Sequence, residues 1–130
     1  MFAEIAMLLY LAHLLADYPF QTDHQAACKA QSGRRGWGAN LTHAGTHLLT
    51  SGLLLAVGTA VLGWRLPLLP AAFAVVWIGA THSLIDRRWP IQRWMRLARQ
   101  SGWAERGGAA HVDQTAHITA LVAAALYLAA

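Results

Sequence analysis

Four apolar stretches dominate the chain, more than a compact soluble fold of 130 residues can bury. Phe2 to Phe20 is broken only by Glu4, His13 and Asp17. Leu41 to Trp64 and Leu66 to Ile85 contain no Asp, Glu, Lys or Arg, and Val112 to Ala130 carries only Asp113. Each is close to the ~20 residues that a helix needs to cross a ~30 Å hydrocarbon core. None shows the sustained apolar/polar alternation of a half-buried strand. Charged residues make up 12% of the chain, against roughly 25% in soluble domains, so too little polar surface remains to coat a globule. The sequence therefore reads as all-α: a four-transmembrane-helix bundle in one integral membrane domain, with approximate spans 2–20, 41–64, 66–88 and 110–130. With Glu4 near its start and polar residues in its centre, the first stretch reads as a retained span, not a signal peptide. A single cysteine, Cys28, excludes an internal disulfide framework and a cysteine-rich zinc site.

Local signals mark the ends. Tyr18-Pro19 closes the first span, because proline disfavours a helical residue before it. Asn40 is the expected N-cap of the second. Gly63 to Pro67 makes a tight connection, Trp89-Pro90 closes the third span, and Gly107-Gly108 is a flexible joint before the fourth.

The formal net charge is +4, and the cations are unevenly placed. Lys29, Arg34 and Arg35 lie between spans one and two; Arg87, Arg88, Arg93, Arg96, Arg99 and Arg106 lie between spans three and four. The positive-inside rule then puts both long loops in the cytoplasm and both termini outside, multi-pass in the cell membrane. Anionic membrane lipid, not nucleic acid, is the partner this charge suits. Within the second long loop, residues 91–100 form a basic amphipathic helix. Ile91, Trp94, Met95, Leu97 and Ala98 share one face, while Arg93, Arg96 and Arg99 face lipid headgroups from the other.

Ionisable side chains inside spans are expensive, and here they come in pairs. The pairs are His13/Asp17, His43/His47, His82/Asp86 and Asp113/His117, one on each span and each spaced i, i+4. That spacing stacks two side chains on one helical face. Two pairs close their spans and two open theirs, so in an up-down topology all eight groups meet in one layer at the cytoplasmic end. Five imidazoles and three carboxylates suit a divalent metal, with zinc favoured and iron or manganese as alternatives. They provide enough donors for one or two ions, and bundles of four helices build two-metal cores in this way. The favoured ligands are His43, His47, His82, Asp86 and His117. His13, Asp17 and Asp113 are ligands or, for the two carboxylates, the general base. Two other readings stay open: hydrogen-bonded pairs that only pin helices together, and a proton or ion relay.

Around the layer, Gln21 and Gln114 are expected to orient ligands. Thr46 and Ser51 read as packing polarity, His24 and Asp23 as loop residues, His111 as a spare at the edge, and Cys28 as a free loop thiol. Gly52, Ala56 and Ala60, and likewise Ala116, Ala120 and Ala124, repeat every four residues, as helices in close contact within lipid do.

His13-Leu-Leu-Ala-Asp17-Tyr-Pro-Phe-Gln21, the His43/His47 helix, His82-Ser-Leu-Ile-Asp86 and Asp113-Gln-Thr-Ala-His117 together resemble the small bacterial four-helix membrane proteins grouped as domain of unknown function 3307. Where a common form of that family has lysine soon after the third-span aspartate, this chain has Arg87-Arg88. The His-x-x-x-Asp pairs are also similar, more weakly, to membrane-bound metal-dependent hydrolases related to zinc-dependent phospholipase C. That similarity implies hydrolysis of a lipid or another phosphoester. A small ion, metal or proton transporter and a non-catalytic accessory protein, each a possible homo-oligomer, are the alternatives.

Overall fold

The computed structural model describes residues 1–130. It is helical throughout, with no strand: α1 (Phe2–Asp17), α2 (Asp23–Cys28), α3 (Gly33–Leu62), α4 (Leu68–Asp86), α5 (Trp89–Leu97), the single turn α6 (Ser101–Trp103), a π-type turn at Ala104–Gly108, and α7 (Ala109–Ala129). Three segments, Gly33–Leu62, Leu68–Asp86 and Ser101–Ala129, are long and apolar enough to cross a membrane. The last of these runs through a kink, where Gly107 takes φ 96°. Helix α1 is shorter than expected. Its 16 residues reach about 24 Å, because the chain turns out of the helix at Tyr18 before Pro19.

Each long helix packs on two others: α1 on α3 and α7, and α4 on α3 and α7. The residues divide into two layers along the helix axes. At one end Ile5, Leu9, Leu55, Ile78, Leu121 and Leu128 form a closed apolar core. At the other end the buried side chains are polar, among them His13, His43, His47, His82, Asp86 and His117. The outside is apolar instead. Leu68 and Leu69 are 83% and 82% exposed, and Leu49, Leu53, Val61 and Val76 are exposed as well. Water would not stabilise such a surface, whereas acyl chains would.

Several boundaries differ from the sequence reading. Helix α3 begins at Gly33, two turns before the expected cap at Asn40. Asn40 is fully buried inside the helix and ties α3 to α4. Its Nδ2 donates to the Ser83 carbonyl at 3.1 Å, and its Oδ1 accepts from the Ser83 hydroxyl. Trp89-Pro90 opens α5 instead of closing α4, because proline is tolerated in a first helical turn. The supposed loop after Pro19 contains α2, capped by Thr22 and Gln25 in a reciprocal box. Cys28 is therefore a buried helical residue and not a loop thiol.

In α5 only Ile91 and Met95 are buried; Trp94 and Leu97 are exposed beside Arg93 and Arg96. The apolar face is thus split between an inward pair, spaced i, i+4, and an outward pair. The Gly52-Ala56-Ala60 repeat does not make a close contact either. A Cβ on Gly52 would meet nothing within 4 Å, and the three residues line an open groove between α3 and α4. The close approach is made by Gly79, where a Cβ would run into the Leu48 side chain.

Gly36 approaches the backbone of Gln31 too closely to admit a Cβ, whereas Gly38 has open space. Gly36→Ala is therefore expected to destabilise the fold by about 1–3 kcal/mol. Gly38→Ala should be neutral or stabilise by up to about 1 kcal/mol through helix propensity. Thermal unfolding of the two variants in detergent measures the difference, and equal melting temperatures would contradict it.

Candidate metal centre

The i, i+4 spacing does locally what helical geometry requires, placing each pair on one inward face. Packing then joins the four faces. All eight residues of the sequence-derived set fall into three overlapping groups whose ligand atoms lie within 4.8 Å of one another: His13, Asp17, His47 and His82; His43, His82 and Asp86; Asp86, Asp113 and His117. His82 links the first group to the second, and Asp86 links the second to the third.

Every imidazole turns its Nε2 toward the shared centre. Asp17 Oδ1 lies 3.1 Å from both His43 Nε2 and His47 Nε2, and 3.5 Å from His82 Nε2. Asp17 Oδ2 lies 3.2 Å from His13 Nε2. Asp86 Oδ2 is 3.1 Å from His82 Nε2 and 3.4 Å from His43 Nε2, while its Oδ1 is 3.7 Å from His117 Nε2. Asp113 Oδ2 completes the third group at 3.5 Å from His117 Nε2. Two ligands held at about 2.1 Å from one tetrahedral ion are about 3.4 Å apart. These separations are of that size.

Hydrogen bonding alone leaves the cluster unsatisfied. His43 Nε2 has one in-plane position, either a proton or a lone pair. Around it lie Asp17 Oδ1 and Asp86 Oδ2, which only accept as carboxylates, and Lys29 Nζ at 3.3 Å, which only donates. His82 Nε2 and Gln21 Nε2 are each 3.1 Å away as well. Neither tautomer serves all of these partners. His43 Nδ1 and His47 Nδ1, on the ring edges turned away from the shared centre, are buried without a hydrogen-bond partner. An unmatched polar atom in such an interior costs about 1–3 kcal/mol, so the mismatched partners crowded around His43 Nε2 are a standing expense unless the centre holds something. Buried imidazole and carboxylate groups in this arrangement could hold a metal ion.

The neighbouring groups fall where expected in two cases. Gln21 touches His43, and Gln114 Oε1 lies 3.4 Å from His13 Nε2. Thr46 and Thr115 spend their hydroxyls on carbonyls one turn back, and Ser51 Oγ is buried without a partner. His111 is exposed and stacks parallel to Trp103, and His24 lies 3.8 Å from the Cys28 sulfur; neither joins the cluster. Arg93, Arg96 and Arg99 are exposed and also lie outside it.

Lys29 is the member that sequence reasoning missed. Its Nζ pairs with Asp86 Oδ2 at 2.9 Å, and only 13% of the side chain is exposed. Arg87 holds that segment in place. Its guanidinium donates to the Lys29 carbonyl at 2.9 Å and the Gln31 carbonyl at 2.8 Å, and it sits 4.4 Å above the Trp37 ring. The capping box at Thr22 was the available clue that a helix would fold back here.

A cavity of about 510 Å³ opens beside the cluster, lined by Gln21, Lys29, Asp86, Arg88, Gln92 and Asp113 among others. Asp86 and Asp113 thus belong both to the third ligand group and to the cavity wall.

The model of the family described as "Protein of unknown function (DUF3307)" matches residues 5–130, so the chain belongs to that family. No curated protein and no solved structure matches it.

Proposed function

We propose that this member of the family is a four-span membrane bundle carrying a divalent metal centre at its cytoplasmic end, and that it hydrolyses a lipid or another phosphoester. The observation that carries this reading is the contrast between the two outer ligand groups. His13, Asp17, His47 and His82 offer four donors, enough to complete a tetrahedral shell in the interior. Asp86, Asp113 and His117 offer three, and two of them face the cavity. Three protein ligands with an open position are the usual composition of a catalytic zinc site. Lys29, at hydrogen-bond distance from Asp86 and His43, takes the place of a cation in the middle group. Two ions per chain, zinc by preference, is the composition we assign.

When bound, a divalent ion supplies Lewis acidity toward a phosphoryl or acyl oxygen and acidifies water. The remaining roles belong to the chain. Asp86 and Asp113 present carboxylates at the cavity wall; Asp113 would give the ion the Oδ2 that faces His117 and keep its other oxygen to accept a proton. Asp17 lies among four histidines and does not line the cavity, so it serves as a ligand and not as the general base. Gln21 and Gln114 steady His43 and His13. The basic face of α5 gathers anionic lipid, with both loops in the cytoplasm and both termini across the inner membrane.

A transporter would need a polar route past the cluster. Beyond it stand Ile5, Leu9, Leu55, Ile78 and Leu121 in a closed apolar core, which favours a site reached from one side only. Elemental analysis of the detergent-purified chain, followed by liposome assays of lipid cleavage and of ion flux, tests the proposal. Stoichiometric metal with chelator-sensitive cleavage and no flux is expected. A metal-free native chain, or flux without cleavage, would overturn it.

A further inference from the structure

The polar cavity does not stand alone. A second depression, about 490 Å³, runs down the outer surface between α4 and α7, and Ile91 lines both. The first is polar and of mixed charge, with the cations Lys29 and Arg88 and the carboxylates Asp86 and Asp113 in its wall. The second is apolar and is bounded by Trp77, Leu84, Trp94, Val112 and Ala123 among others. Its threonines offer no free donors. Thr81, Thr115 and Thr119 each return their hydroxyl to a carbonyl of their own helix. Trp77 Nε1 donates to the Ala120 carbonyl and ties the two walls together.

Length and charge select the occupant. From Val112 to Ala123 the groove follows α7 for twelve residues, whose eleven steps of 1.5 Å rise about 16.5 Å. One leaflet of a ~30 Å hydrocarbon core is about 15 Å deep. The cations sit only at the α5 end, where Arg88 joins the cavity wall from a left-handed backbone position (φ 62°). Non-glycine residues adopt that conformation at a cost, and such positions cluster at ligand sites.

We infer that cavity and groove together hold one amphiphile, with an anionic phosphoryl head between Lys29 and Arg88 and a single acyl chain along α4 and α7, Ile91 marking the junction. The inference rests on the proposed hydrolase reading for what then happens to the ligand: it brings the head beside Asp86 and Asp113. It thereby narrows the substrate class to phosphoesters that carry a long alkyl chain.

Tryptophan fluorescence gives a direct test, because Trp77 and Trp94 line the groove. A lysophosphatidate brominated along its acyl chain is titrated into the purified full chain in detergent, with metal content measured on the same samples. Saturable quenching is expected. Unlabelled lysophosphatidate should reverse it, and inorganic phosphate at the same concentration should not. A brominated long-chain alcohol should bind at least tenfold more weakly. Arg88→Gln, at the head, and Thr119→Phe, at an exposed position on the groove wall, should each weaken lysophosphatidate at least tenfold without altering bound metal. Equal binding of the alcohol, displacement by free phosphate, or indifference to both substitutions would overturn the inference. Saturable lipid binding by a metal-free native chain would overturn the hydrolase proposal and leave the lipid site standing. Metal and cleavage without saturable quenching would do the reverse.

Discussion

Asp17→Asn and Asp113→Asn are expected to remove different ions. Asp17 is the carboxylate shared by His13, His43, His47 and His82, so its amide analogue should empty the interior position. Asp113 belongs to the group that borders the cavity, so its amide should empty that position alone. Loss of an orienting partner outside the coordination shell commonly costs 10–100-fold in metal affinity. Loss of a charged ligand should cost at least about 100-fold, or about 2.8 kcal/mol at 1.4 kcal/mol per tenfold. Each variant should therefore purify with about one equivalent of metal fewer than the native chain. Lipid cleavage should fall at least about 100-fold in Asp113→Asn, because its position is the one beside the cavity. Elemental analysis with competing chelator reads the first effect, and initial rates in liposomes read the second. Native metal content in both variants would remove the coordination proposal altogether.

The second large effect concerns stability without metal. Lys29 and Asp86 form a largely buried ion pair at 2.9 Å. Removing one partner of such a pair strands the other charge and costs about 3–5 kcal/mol. Asp86→Ala in chelator-treated protein is therefore expected to lower unfolding free energy by about 3 kcal/mol. Lys29→Met should also destabilise. The double variant should be more stable than the sum of the two losses implies, by about 2 kcal/mol, because neither charge is then left alone. Denaturant unfolding of the four proteins in one detergent closes this cycle. Additive losses, within about 0.5 kcal/mol, would show that the two residues do not act on each other.

The clustered layer was legible because helical periodicity is a local property. An i, i+4 pair declares its common face without reference to anything distant, and four such pairs near span ends need only antiparallel packing to meet. Lys29 was not legible for the complementary reason. Its partner, Asp86, is 57 residues away, and a lysine in a basic loop looks like any other cytoplasmic charge. The start of α3 was obscured by Gly33, Gly36 and Gly38, which suggest a loop. Tertiary contact overrides that local preference. Gly36 fits only without a side chain against Gln31, and Arg87 clamps the adjoining carbonyls. The expected first span, 2–20, overshoots α1 by Tyr18, Pro19 and Phe20, because an apolar stretch does not show where the helix within it ends. The apolar arc of α5 reads as one face because helical periodicity alone cannot tell which half of a wide arc packs on protein, as Ile91 and Met95 do, and which stays exposed, as Trp94 and Leu97 do.

The clamp at Arg87 makes the two sides of the cavity mechanically unequal. On one side the chain from Lys29 to Gln31 is riveted to the end of α4 by a guanidinium that also rests on Trp37. On the other, α5 is seated through Ile91 and Met95 and flanked by left-handed residues, Arg88 and Arg99, that break the helix at each end. One wall is cross-braced and the other rests on two apolar side chains. Displacing α5 would disturb the seats of two apolar side chains, whereas displacing the segment from Lys29 to Gln31 would break two charge-assisted hydrogen bonds, so the α5 wall is the softer of the two.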